Sequence, residues 1–316
     1  MDDQIVLKEP RAEAALERDL PICDAHHHLW EYPGNVYLGK DLIEDIGGHN
    51  IVQTVVVEAW PRNLRTGGTM VEPAEETALA VAESKSNPGR TRIAGGIVGH
   101  ADLMAGGAVE EVIESHIIAG QGRFRGIRPA LGSVLTDKRF LDGYAVIDQH
   151  SLVVDVAVHS QHLPDLLDLA AKYPETPIII NHLGLLPMMG PNQTLPGETS
   201  GYGIEPWKKV IAKISGCETL CMKLGGLGTD LASAGWKKPT SPDSAELVQI
   251  MKPWYLYCIE KFGVDRCILE SNFPVDKKAF SYNVHWNAAK RVTKDLSPAE
   301  RNSLFYATAA KAYRLQ

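Results

Sequence analysis

Eight short apolar runs recur along the 316-residue chain, most of them closing on polar residues. They are 21–28, 51–59 (IVQTVVVEA), 93–100, 124–129, 152–158 (LVVDVAV), 178–181, 220–224 and 266–270. Most are β-branched and apolar throughout rather than alternating, the pattern of parallel strands covered on both faces. Helical stretches are predicted between them at 73–86, 103–119, 140–150, 163–173, 207–214 and 245–262, with two more at 281–293 and 298–314. Pro253 should kink the sixth of these. Ser297-Pro298-Ala299-Glu300 has the spacing of a capping box, with proline at the first helical position. The segments 31–50, 62–69, 185–203 and 226–243 read as loops, the first because Pro33-Gly34 and Gly47-Gly48 interrupt it.

Parallel strands need crossover helices, and eight strand-helix units close into a (β/α)8 TIM-like barrel. A doubly wound sheet is the competing arrangement. No GxGxxG follows the first strand, however, and polar residues gather at strand ends, where a barrel builds its site. The expected organisation is an arm over residues 1–20 and one barrel domain over 21–316.

Those strand ends carry the candidate chemistry. Alternate residues of an extended chain share a face, so His26 and His28 point one way and His27 the other. Two imidazoles at one strand end can bind a divalent metal or polarise an oxygen. Glu58, His100, Arg125, Arg128, His159, His182, Lys223 and Glu270 to Asn272 end or follow the later strands. Arg125 and Arg128 are three apart, so both face inward only if a bulge intervenes. An inward arginine would clamp a substrate carboxylate. The apolar loop around Leu185, Leu186, Met188 and Met189 fits a partly hydrophobic substrate, or simple core packing.

Five stretches taken together resemble the amidohydrolase-related family, the branch of the amidohydrolase superfamily with sugar lactonases and 2-pyrone dicarboxylate lactonase. They are Asp24-Ala25-His26-His27-His28-Leu29-Trp30, Phe124-Arg125-Gly126-Ile127-Arg128, Asn181-His182-Leu183-Gly184, Met222-Lys223-Leu224-Gly225-Gly226-Leu227 and the terminal helix from Thr308 to Leu315. The resemblance covers residues 20–315 and implies a distorted barrel of the metal-dependent-hydrolase type, with His26, His28 and His182 in its site. It departs at the eighth strand, where the family's G-S-D-W-P is here Glu270-Ser271-Asn272-Phe273-Pro274. An amide cannot take a proton from water as a carboxylate does.

The implied function is hydrolysis of a lactone or related carbonyl compound in small-molecule catabolism. His26, His28 and His182 would polarise the carbonyl, and Asn272 would position water or substrate. Asp276, Glu270 or a histidine would move the proton. Glu58, Arg125, Arg128, His159 and Lys223 are the candidate substrate-binding residues. The metal is left open: His26, His28 and His182 satisfy the ligand logic of zinc, while Asn272 in place of aspartate favours a metal-free site. Two alternatives stand beside hydrolysis, a zinc-dependent decarboxylase of an unsaturated or aromatic acid and a barrel that binds its ligand without turning it over.

The net charge of −7 argues against nucleic acid or an anionic membrane as a general partner, leaving a small-molecule substrate. Five widely spaced cysteines, without a CxxC pair, read as reduced thiols in a cytoplasmic chain. The N-terminus has no signal-peptide pattern, and no apolar run is long enough to span a bilayer. The oligomeric state stays open, a homo-oligomer included.

Overall fold

A computed structural model describes residues 13–59, 74–130, 135–186, 204–228 and 240–316. The segment 62–69, the methionine pair and most of the long loops at 185–203 and 226–243 lie outside the described residues. The strands are β1 (Pro21–His27), β2 (Trp30–Tyr32), β3 (Asn35–Tyr37), β4 (Asn50–Val57), β5 (Arg92–Gly99), β6 (Phe124–Ile127), β7 (Val153–Val156), β8 (Ile178–Ile180), β9 (Leu220–Leu224) and β10 (Cys267–Leu269). Eight of them form one parallel sheet in the order β1-β4-β5-β6-β7-β8-β9-β10. The segment after β10 meets β1: Asn272 N–H donates to the His26 carbonyl and His28 N–H to the Phe273 carbonyl, each at 2.8 Å. The sheet thereby curls into the expected barrel.

Side chains sort by face. Val55, Val98, Val153, Ile179 and Ile268 point into the barrel, where they meet Ala309 and Tyr313 of the C-terminal helix. Their neighbours Val56, Ile97, Val154, Ile178 and Leu269 point outward to the helical layer. The strands are apolar throughout because both faces are covered.

The segment 31–50 is more ordered than its loop-like composition suggested. Gly34, at φ +76°, lets the chain reverse between β2 and β3, and the helix Gly39–Ile46 follows. The Asp41 side chain accepts from the Leu38 backbone N–H at 2.8 Å, and Leu42 and Ile46 bury the inner face of this helix. Its glycines mark turns, not a continuous loop. The stretch 103–119 divides into a tight turn, Leu103–Ala108, and the helix Val109–Gly120, because Gly106 takes φ +62°. The stretch 163–173 likewise opens with a tight turn, Ser160–Asp165, before the helix Leu166–Lys172. The helix Ser244–Phe262 runs through Pro253 without ending there. Ser297 and Glu300 exchange both bonds of the expected capping box.

Residues 13–17 dock on the helix Tyr282–Val292. Asn287 donates to Glu13 Oε2 at 3.0 Å and accepts from the Leu16 N–H at 2.8 Å, while Lys290 donates to the Leu16 and Glu17 carbonyls.

Candidate active site

The pairing of β1 with β4 slips by one residue between Asp24 and His27. This bulge re-aims the end of the strand. His27 turns away from the other histidines to Thr54 Oγ1, at 2.8 Å, and burial holds its imidazole down at about 4. His26 and His28 stay together, ring centroids 4.9 Å apart and edge to face. His182, at the end of β8, brings its ring to 4.6 Å from His26. Chain segments more than 150 positions apart thus meet at one point.

Glu270 organises that point. It follows the inward Ile268 by two residues and is fully buried, as is its neighbour His26. Its Oε1 accepts from His182 Nδ1 at 2.7 Å and from the His182 backbone N–H at 3.1 Å. Its Oε2 lies 2.9 Å from His26 Nδ1 but has no hydrogen-bond partner. Burial alone would raise its pKa; the His182 imidazole, with Lys223 beyond it, outweighs that and holds the carboxyl below its ordinary value. The glycines after β9 make room for this pair. A Cβ on Gly225 would strike the Glu270 side chain, and one on Gly226 would strike the His182 ring.

Beneath His26 lies a second buried charge pair. Lys223 Nζ donates to Asp155 Oδ2 at 2.6 Å and stands 3.2 Å from His26 Nδ1. On the other side of the imidazole, Arg128 Nη1 lies 3.4 Å from Nε2. Burial first, then Lys223, His182, His28 and Arg128, drive the His26 pKa well below its ordinary value. Burial and Arg128 do the same to His28. Both rings are neutral, so neither supplies the positive charge an oxyanion needs. Arg128 can: its Nε donates to Glu58 Oε1 at 3.0 Å and its Nη2 to the Glu58 carbonyl, and its side chain is 11% exposed.

Asn272 and Asp276 form another arrangement than a water-facing base. Asn272 Nδ2 donates to Asp276 Oδ1 at 2.8 Å, and the Gly228 N–H donates to Asp276 Oδ2 at 2.9 Å. This leaves Asn272 Oδ1 toward His28 Nε2, at 3.3 Å. The other nitrogen of His28, Nδ1, is 2.8 Å from the Val57 carbonyl. Asp276 is fully buried and serves to orient the amide.

The remaining candidates divide. Between β5 and β6 the partners run from Ile97 with Phe124 to Val98 with Gly126, so Arg125 is an extra residue in a bulge. Arg128 emerges beside the histidines, whereas Arg125 donates to the Gly122 and Phe124 carbonyls with Arg92 and Arg314 as charged neighbours. The structure does not bring Arg125 to the histidine cluster. His159 is exposed at the start of the Ser160–Asp165 turn. His100 turns its Nδ1 to the Arg128 carbonyl at 3.2 Å. Asp155 and the hub role of Glu270 were not read from sequence. A lone carboxylate inside the apolar run LVVDVAV is the signal that could have found Asp155, since such a group is buried only when paired.

His26, His182 and Glu270 offer ligand atoms within 4.8 Å of one another, while His28 is not part of that set. Two imidazoles and a carboxylate are a donor set of catalytic zinc sites. The buried Oε2 of Glu270, without a hydrogen-bond donor, also fits a cation there. The three residues fit a divalent metal, and among the described residues Glu270 rather than His28 would stand third beside His26 and His182.

A family model described as amidohydrolase matches residues 23–315. The chain belongs to the amidohydrolase family. This amidohydrolase is 27% identical over 334 residues to the uncharacterised protein y4mH of Sinorhizobium fredii, covering 94% of this chain and 99% of that one. It is 26% identical over 316 residues to an L-fucono-1,5-lactonase of Burkholderia ambifaria, covering 92% and 95%. Its fold matches the crystal structure of a Burkholderia multivorans amidohydrolase with bound zinc, with a TM-score of 0.74 at 23% identity, over 94% of this chain and 100% of the other. No helix among the described residues is long and apolar enough to cross a membrane.

Proposed function

We propose that this amidohydrolase opens a lactone ring, the cyclic ester of a sugar acid or a compound like it, by hydrolysis. The observation that carries the reading is the 2.7 Å hydrogen bond from His182 Nδ1 to Glu270. A carboxylate on Nδ1 fixes the tautomer and leaves the Nε2 lone pair to take a proton. His182 is also 13% exposed, whereas His26 is fully buried. The lactonase names of relatives aligned over most of the chain support the same chemistry.

In this mechanism His182 Nε2 removes a proton from water as the water oxygen attacks the carbonyl carbon. The carbonyl π electrons move onto oxygen, and Arg128 supplies the facing positive charge. Collapse of the tetrahedral intermediate expels the ring alkoxide, which takes the proton back from His182. The product is the open hydroxy acid. Glu270 stays ionised and stabilises the imidazolium between the two transfers. A divalent cation held by His26, His182 and Glu270 would take the same His182 lone pair, and would then polarise the carbonyl in place of this base rather than beside it. Asn272, held by Asp276, positions water or substrate. The same reading makes this a cytoplasmic enzyme of small-molecule breakdown, without a nucleic-acid partner.

The test is a pH-indicator assay over a panel of five- and six-membered aldonolactones. The wild type should open at least one of them, and His182→Asn should lose about a hundredfold or more in kcat. Wild-type inactivity across the panel, or an unimpaired His182→Asn enzyme, would overturn the proposal.

A further inference from the structure

The C-terminal helix reaches the floor of the site. It runs from Pro298–Asn302 through a wide turn, Ser303–Ala307, to Thr308–Ala312, and Tyr313 follows. The Tyr313 ring is fully buried inside the barrel, packed with Val153, Ile179 and Ile268 from three strands. Packing alone would be satisfied by any large apolar side chain. The hydroxyl is the additional feature: it donates to Asp155 Oδ1 at 2.8 Å and approaches Oδ2 at 3.0 Å.

Asp155 is a hub. Its Oδ2 also accepts from Lys223 Nζ at 2.6 Å and from Asn181 Nδ2 at 2.9 Å. Lys223 stands 3.2 Å from His26, and Asn181 immediately precedes His182. Asp155, Asn181, Lys223 and Tyr313 are all fully buried. One carboxylate therefore anchors the supports of both imidazoles that flank Glu270. A buried ion pair contributes little net stability compared with apolar packing, so the arrangement calls for another purpose.

We propose that Tyr313 is a positioning residue: its hydroxyl sets the Asp155 carboxylate, and through Lys223 and Asn181 the placement of His26 and His182. Without the hydroxyl, Asp155 Oδ1 loses a donor in a site water does not reach. The carboxylate then turns toward its remaining donors and draws Nζ of Lys223 off His26. The kinetic consequence rests on the hydrolytic reading of the site; the structural one does not.

The test is Tyr313→Phe, which keeps the ring and removes only the hydroxyl. With a lactone substrate, kcat should fall about tenfold or more, as expected for losing a hydrogen bond to a charged group, while KM stays within about twofold. In imidazole 15N NMR of the same variant, the His26 signal, identified by its loss in His26→Asn, should shift. In an Asp155→Asn background, Tyr313→Phe should add less than about a twofold change, because the path is already cut. Unchanged kcat with an unmoved His26 signal would overturn the proposal, and so would an equal loss in the Asp155→Asn background. If the wild type opens no lactone, the hydrolytic reading fails on its own. The His26 signal then decides the positioning role, a shift supporting it and no shift overturning it.

Discussion

Nδ1 of His182 lies 2.7 Å from Oε1 of Glu270, a carboxylate 88 residues further along the chain. The family pattern puts its strand-eight carboxylate at position 272, where this chain has asparagine. Here the charge sits two residues earlier and still faces the barrel interior. Its partner is an imidazole, and on the mechanism proposed above the proton-accepting atom is a nitrogen of His182.

Restoring the family residue should therefore not improve this enzyme. Asn272 Nδ2 is 2.8 Å from Asp276 Oδ1. Asn272→Asp would set two carboxylates against each other, and one of them would hold a proton at neutral pH. We expect kcat on a lactone to fall about tenfold. The double variant Asn272→Asp with Asp276→Asn, which separates the charges, should recover most of the loss. A rise in kcat in the single variant would show that the aspartate was the missing part after all.

Gly226 should tolerate no side chain. Its φ is +74°, and a Cβ there would overlap the His182 ring. Gly226→Ala combines backbone strain with a displaced imidazole, so stability should drop by about 2 kcal/mol and turnover should fall further than that loss explains. Urea unfolding and steady-state kinetics on one preparation separate the two effects. Wild-type values in both would mean that His182 is not confined by this glycine.

Acid should weaken the fold well before the surface carboxylates titrate. Burial holds His27 and His285 at about 4 and His49 at about 3, against 6.5 for a free imidazole. Between pH 6.5 and 4 the unfolded chain takes up protons at these three histidines that the folded chain refuses. Stability is thus fully present above 6.5 and is lost as the pH falls, by at most about 1.4 kcal/mol per pH unit for each group. Asp24 opposes this: burial raises it to about 6, so between 6 and 3.8 the folded state binds the extra proton. One group works against these three and against His26 and His28, also held well below the ordinary value, so the urea midpoint should drop from pH 7 to pH 5. A flat or rising midpoint would contradict the assignment of these histidines as neutral.

The barrel was legible because its strands are apolar on both faces and its polar residues collect at one end. His26, His28 and His182 were legible for the same reason, being strand-end groups. The hairpin β2–β3 was not, since three-residue strands are too short to show an alternation. The separate placements of Arg125 and Arg128 depend on a bulge that no residue spacing announces. Asp276 read as a candidate base, yet its role as a clamp on Asn272 follows from the turn that packs Gly228 against it. The hub at Asp155 joins β7, β9 and the C-terminal helix, a meeting that exists only after the barrel has closed.

If Glu270 makes His182 the base, Glu270→Gln should disable turnover without disturbing the fold. The amide keeps the shape of the side chain but cannot stabilise an imidazolium or enforce the Nδ1–H tautomer. With a lactone that the wild type opens, we predict that kcat falls by about a hundredfold or more while far-UV circular dichroism is unchanged. A folded Glu270→Gln enzyme turning over within a few-fold of wild type would mean that His182 does not depend on this carboxylate to act as a base.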